Sequence, residues 1–168
     1  MGHERIFTSE SVTPGHPDKL CDQISDAIVD AFLQQDPDAR IIAECAIATG
    51  VLFIAARFAA EAHVDIPSLA RGVIAAVGYG EDGFDARNCS ILTSFTPMEG
   101  VQRGTRRDDN EPAQEQVNAF GFACRETPAL MPLPIWLAHR LAVELPAARR
   151  RGARSEEPPA ERQSQVRR

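Results

Sequence analysis

Hydrophobic and polar positions repeat along this chain with two different periods. From Asp18 to Gln34, Leu20, Cys21, Ile24, Ala27, Ile28, Ala31 and Phe32 recur at three- and four-residue intervals, while Asp22, Asp26 and Asp30 mark another face. This spacing predicts an amphipathic helix. Asp36-Pro37-Asp38 interrupts it, and two strand-like runs follow, Arg40 to Ala48 and Val51 to Ala60, on either side of Thr49-Gly50. They predict a hairpin. Val64-Asp65-Ile66-Pro67 leads into a second helix near Ser68 to Val77, stopped by Gly78, and Asn88 to Phe95 reads as a third long strand. With a short strand near the N-terminus, the fold class is α+β, with helices packed on one face of a mixed or antiparallel sheet.

Further along, residues 96 to 116 hold almost no large apolar side chain and read as a loop. Order is expected again from Ala119 to Cys124, and Leu133, Trp136, Leu137, Arg140 and Leu141 give helical spacing up to Leu145 behind Pro132 and Pro134. After Pro146 the chain turns to Arg, Glu, Pro and Ala, a composition that predicts the end of the ordered fold. The expected organisation is a first domain over residues 1–97, a flexible loop over 98–117, the opening of a second domain over 118–146 and a disordered tail over 147–168.

Composition narrows the class. A chain of 168 residues, 43% hydrophobic and 25% charged, holds one ordinary domain and part of another. No apolar run approaches the roughly 20 residues that span a bilayer, and MGHERIFTSES lacks the apolar core of a secretory signal. A cytoplasmic protein without membrane contact is expected. Cys21, Cys45, Cys89 and Cys124 are widely spaced and show neither disulfide nor zinc spacing. The net charge of -6 conceals a basic tail: residues 149–168 carry seven Arg against three Glu. That tail has no aromatic residue to stack on bases, so no nucleic-acid partner is expected.

The densest chemistry lies just ahead of the first helix. Gly15, His16, Pro17, Asp18 and Lys19, the chain's only lysine, bring an imidazole, a carboxylate and an ammonium into one short segment. Pro17 suits a first helical position, and the free amides of a first turn favour an anion. These residues form a candidate phosphate and metal site.

The same segment carries a family resemblance. FTSESVTPGHPDKLCDQISDAIVDAFLQQDPDAR, followed in order by AECAIATG, VDIP, GFDA, ACRETPALMPLPIWLAHRL and a final SQV, resembles S-adenosylmethionine synthetase, or methionine adenosyltransferase. The resemblance covers that family's N-terminal domain and the start of its central domain; the family itself is longer. It implies the synthetase-like α+β fold and transfer of the adenosyl group of ATP to the sulfur of methionine, with release and cleavage of the triphosphate. It implies His16 as a catalytic, ATP-contacting histidine, Lys19 and Glu115 at the ATP site, Asp18 as a Mg2+ ligand and Glu44 as a K+ ligand. ATP and methionine are the implied substrates. Because the family's site forms between subunits, a homo-oligomer is implied too, with a partner covering the sheet face of Ile41, Ala43, Cys45, Ile47, Leu52, Ile54 and Ala56. The alternative is that the chain's own helices cover this face.

Several positions depart from the family pattern. Arg57 stands where the family has a glutamate that receives the ammonium of methionine, replacing attraction by repulsion. Met98 stands at a methionine-contacting glutamine and Gln163 at a lysine. The family's GAGDQG becomes Pro112-Ala113-Gln114-Glu115-Gln116-Val117, which removes every glycine. The expectation is a methionine adenosyltransferase-like chain, impaired or inactive in isolation. A noncatalytic ATP- and Mg2+-binding relative that associates with a complete enzyme is the alternative, and a truncated product without function the third reading.

Overall fold

The computed structural model describes residues 6–79, 84–99, 118–150 and 163–167. Along the chain run strand β1 (Thr8–Val12), helix α1 (Pro17–Gln35), strands β2 (Arg40–Ala48) and β3 (Val51–Ala59), helix α2 (Ile66–Val77), strand β4 (Ser90–Pro97), helix α3 (Leu133–Arg150) and strand β5 (Gln163–Arg167). They divide into two units: one takes residues 17–114, the other residues 1–16 with 115–168.

The first unit is built on a three-stranded sheet of order β2-β3-β4. β2 and β3 are antiparallel, with Ala48 opposite Val51. Thr49 and Gly50 both have positive φ, at 42° and 82°; two consecutive left-handed residues give the turn whose twist matches paired strands. β4 runs parallel to β3, so the connection must cross over, and α2 supplies the crossover. The sheet is therefore mixed, and the α+β architecture expected from the sequence is present.

Periodicity explains the core. Leu20, Ile24, Ile28 and Phe32 recur every fourth residue of α1 and are buried, as are Ile66, Ala70 and Ile74 of α2. They pack against Leu52, Ile54 and Ala56 of β3, with Ile41, Ala43, Cys45 and Ile47 of β2 partly buried alongside. Phe32 and Phe58 meet with ring centroids 5.1 Å apart. Each fully buried Leu, Ile or Phe side chain contributes about 1.5–3 kcal/mol relative to exposure. This corrects one expectation: the face of Ile41, Ala43, Cys45, Ile47, Leu52, Ile54 and Ala56 is covered by α1 and α2, not by a partner subunit. Two amphipathic helices supply enough apolar surface to cover a hairpin.

Local chemistry sets the ends of these helices. α1 stops at Asp36, whose position before Pro37 disfavours helical backbone; its buried carboxylate accepts from the amides of Asp38 and Glu61, at 3.1 and 2.8 Å. α2 begins two residues earlier than expected because Asp65 caps it, accepting from the Ser68 amide at 3.1 Å. It ends at Gly78, which has φ 97° and a left-handed cap conformation.

In the second unit β1 pairs antiparallel with β5, Thr8 opposite Arg167 and Val12 opposite Gln163, and α3 packs on both strands. Part of the tail expected to be disordered is ordered here, while residues 151–162 lie outside the described residues. The helix continues through Pro146 to Arg150, and Gln163–Arg167 is a strand. Composition scores a segment against solvent; a strand is stabilised by its partner, and this one lies near the other end of the sequence.

Candidate functional site: the start of the first helix and the open face of the sheet

The turn that follows β1 is fixed by the His16 amide, which donates to the Thr13 carbonyl at 3.0 Å, with Thr13 and Gly15 buried. His16 is half-buried at the end of this turn. Pro17 opens α1, where its missing amide hydrogen has no intrahelical bond to lose. Asp18 and Lys19 lie in the first helical turn and are exposed. Lys19 Nζ reaches Asp22 Oδ2 at 3.6 Å, one turn along the helix. A carboxylate, an ammonium and first-turn amides thus share one helix end, which suits a polyphosphate carrying a hard divalent cation.

Glu44 and Arg57 lie on the sheet face opposite the helices. Register places Glu44 beside Ala55 and Arg57 beside Ile42, so the two occupy adjacent cross-strand rows, and both are exposed. β4 extends those rows with Ser94 and Thr96. The next row, Ala46, Phe53 and Leu92, is apolar, and Phe53 and Leu92 remain 43% and 56% exposed.

Of the remaining expected residues, Met98 is half-buried at the end of β4, its amide donating to the Phe58 carbonyl at 2.9 Å. Gln163 begins β5 opposite Val12. Glu115 lies outside the described residues. No group of three or more His, Cys, Asp or Glu positioned to hold a metal occurs among the described residues.

Two thiols lie close to this region. Cys21 on α1 and Cys45 on β2 share the helix–sheet interface, and Ser25 Oγ, one helical turn from Cys21, is 3.4 Å from Cys45 Sγ. Burial, joined by the neighbouring Cys45, Asp18 and Asp22, pushes the Cys21 thiol up to about 11. Burial also raises Cys45, against a hydrogen bond from Ser25. Both are protonated packing groups at neutral pH.

One polar contact was not anticipated from the sequence. Ser11 Oγ and His139 Nδ1 are 2.8 Å apart, joining β1 to α3. A serine near a histidine suggests a nucleophile and its base, but such a base needs a group that orients its other nitrogen. His139 makes no second hydrogen bond among the described residues, so the contact is a tie between elements. Its only sequence signal was a histidine within a helical run.

Comparison with known proteins bears directly on these residues. The family described as "S-adenosylmethionine synthetase, N-terminal domain" matches residues 4–98, and "S-adenosylmethionine synthetase, central domain" matches residues 110–167. A curated S-adenosylmethionine synthase of Oleidesulfovibrio alaskensis is 45% identical over 151 residues, covering 87% of this chain and 39% of that protein. One from Trichodesmium erythraeum is 46% identical over 167 residues, covering 90% of this chain and 40% of that protein. The chain thus spans about 40% of the length of these curated relatives.

Proposed function

Because the chain belongs to the S-adenosylmethionine synthetase family, we propose that it is a methionine adenosyltransferase-like protein whose ATP end is retained and whose methionine end is altered. The observation that supports this reading is the His16-Pro17-Asp18-Lys19 segment at the start of α1, with Asp18 and Lys19 exposed. In this reading His16 and Lys19 contact the ATP phosphates, and Glu115 belongs to the same site. Asp18 fits Mg2+: a hard oxygen donor at a helix end, completed by phosphate oxygens and water, is the arrangement Mg2+ favours. Bound there, Mg2+ would neutralise charge on the departing triphosphate.

The adenosyl transfer needs methionine held with its sulfur toward the ribose carbon of ATP. Arg57 opposes that, because a guanidinium repels the ammonium of methionine where the family's glutamate would attract it. Met98 removes a further polar contact to methionine, and Gln163 removes a cation from the triphosphate side. The chain is therefore a binder of Mg2+ and ATP with little or no transferase activity in isolation. Its place is in the cytoplasm beside S-adenosylmethionine biosynthesis.

Self-association is part of this reading. The open sheet face presents Ile42, Phe53 and Leu92 at 52%, 43% and 56% exposure, and a second copy of the same face would cover them. No helix among the described residues is long and apolar enough to cross a membrane.

Calorimetric titration with ATP and Mg2+ tests the proposal, together with an assay of S-adenosylmethionine and phosphate formed from ATP, methionine, Mg2+ and K+. Binding that weakens at least tenfold in Asp18→Asn, without product above that control, is the expected result. Turnover by the isolated chain would overturn the altered methionine end, and absence of ATP binding would overturn the retained ATP end.

A further inference from the structure

Two prolines bracket the histidine that precedes the first helix. Pro14 and Pro17 stand three positions apart, with Gly15 and His16 between them. The His16 amide donates to the Thr13 carbonyl at 3.0 Å, which makes residues 13–16 a hydrogen-bonded turn with Pro14 at its second position. The common turn types ask for a φ of about −60° there, the value that a proline ring already holds. Pro17 acts from the other side. The residue before a proline is steered away from helical backbone, so α1 starts after His16 and not through it.

Burial divides the turn. Thr13 and Gly15 are buried, His16 is half-buried, and Pro14 between them is exposed. The effect of Pro14 is therefore conformational: its ring limits the backbone states that an opened turn can visit, which favours the closed one. We propose that Pro14 is a positioning residue for His16, presetting the turn so that the His16 backbone is in place before any ligand arrives. This rests on the reading of His16 as a contact of the ATP phosphates. A segment ordered beforehand loses less conformational freedom on binding, and the difference appears as affinity. Pro14 needs no contact with the nucleotide to exert this effect.

The test uses Pro14→Ala in the full chain, with and without ligand. Without ligand, hydrogen exchange of the His16 amide should quicken by about 2- to 5-fold, the factor expected when a proline position is freed. In titration with ATP and Mg2+ the Kd should rise by up to about 5-fold, and this loss should vanish in a His16→Asn background, because Pro14 acts through His16. Pro14→Gly, which frees the backbone further, should exceed Pro14→Ala in both measurements. Unchanged exchange at His16 would overturn the proposal, and so would an equal loss of ATP affinity with and without the imidazole. A wild type that binds no ATP overturns the reading of the ATP end, while faster exchange at His16 in Pro14→Ala still shows the turn to be held by Pro14.

Discussion

Arg71 Nη1 donates to the backbone carbonyl of Ala86 at 2.6 Å, and Nη2 of the same guanidinium donates to the carbonyl of Cys89 at 3.1 Å. One side chain of α2 thereby fixes the segment that delivers β4 to the sheet. Ala86 and Cys89 are buried, so water cannot easily replace the lost donor. Arg71→Met should destabilise the unit by about 1.5–3 kcal/mol in urea unfolding, a range set by charged hydrogen bonds. Arg71→Lys should recover only part, because an ammonium lacks the two-pronged geometry.

The hairpin turn makes two predictions of opposite sign. Gly50 has φ 82°, a conformation that costs an L-residue roughly 1–2 kcal/mol, so Gly50→Ala should lower stability by that amount. Thr49 holds φ 42° despite a β-branched side chain. Asn is favoured at this turn position, and Thr49→Asn should raise stability by about 0.5–1 kcal/mol. Denaturant midpoints at unchanged slope read both.

Opposite faces of the sheet should respond differently to truncation. Ile54 is fully buried against α1 and α2, and Ile54→Ala should cost about 2–5 kcal/mol through the lost burial and the cavity left behind. Leu92, 56% exposed on the other face, should tolerate Ala with little change in stability. Leu92→Asp should instead abolish self-association in sedimentation velocity. An unchanged association constant would remove this face from the interface.

Acid should weaken the second helix from its N-terminus. Hydrogen bonds from Ser68 hold the Asp65 carboxyl below its ordinary value of 3.8, and the group is fully exposed. A lowered folded value means that stability is present above the unfolded pKa and is lost as pH falls through the folded one. The melting temperatures of wild type and Asp65→Ala should therefore differ at neutral pH and converge below about pH 4.

Alkali acts through a different residue. The Cys21 thiol is raised from 9.0 to about 11, so the folded chain resists losing that proton. The stability involved is complete below pH 9 and is lost as pH rises toward 11. Cys21→Ala should flatten this alkaline decline. Alkylation of Cys21 in the native chain near pH 8 should run about a hundredfold slower than that of an unshifted thiol.

Elements with a strong internal period were legible in the sequence. The fourfold spacing of Leu20, Ile24, Ile28 and Phe32 identified both α1 and its buried face, and Thr49-Gly50 located the hairpin. Side-chain alternation separated Ile41 from Ile42 but left open which cover lay over each face. That depended on α2, whose packing comes from tertiary contact. β5 was missed because its neighbours are Arg, Glu and Pro, while its partner β1 is remote in sequence. The position of His16, Asp18 and Lys19 at the start of α1 was legible in the sequence, where Pro17 and the helical period coincide. The placement of Glu44 and Arg57 in adjacent rows of one sheet face needed the strand register, which no local pattern reveals.

The β1–β5 ladder also sets an order of events. Residues 17–114 form a continuous unit whose strands and helices are close in sequence, so its contacts become available early in synthesis. β1 precedes every other described strand in the chain, yet its ladder partner ends at Arg167. Throughout elongation that strand presents open amides and carbonyls to any other nascent chain. Among the described strands the earliest thus waits for the latest, and pulse-labelled hydrogen exchange should find the β1 amides slower to gain protection than those of β2 and β3.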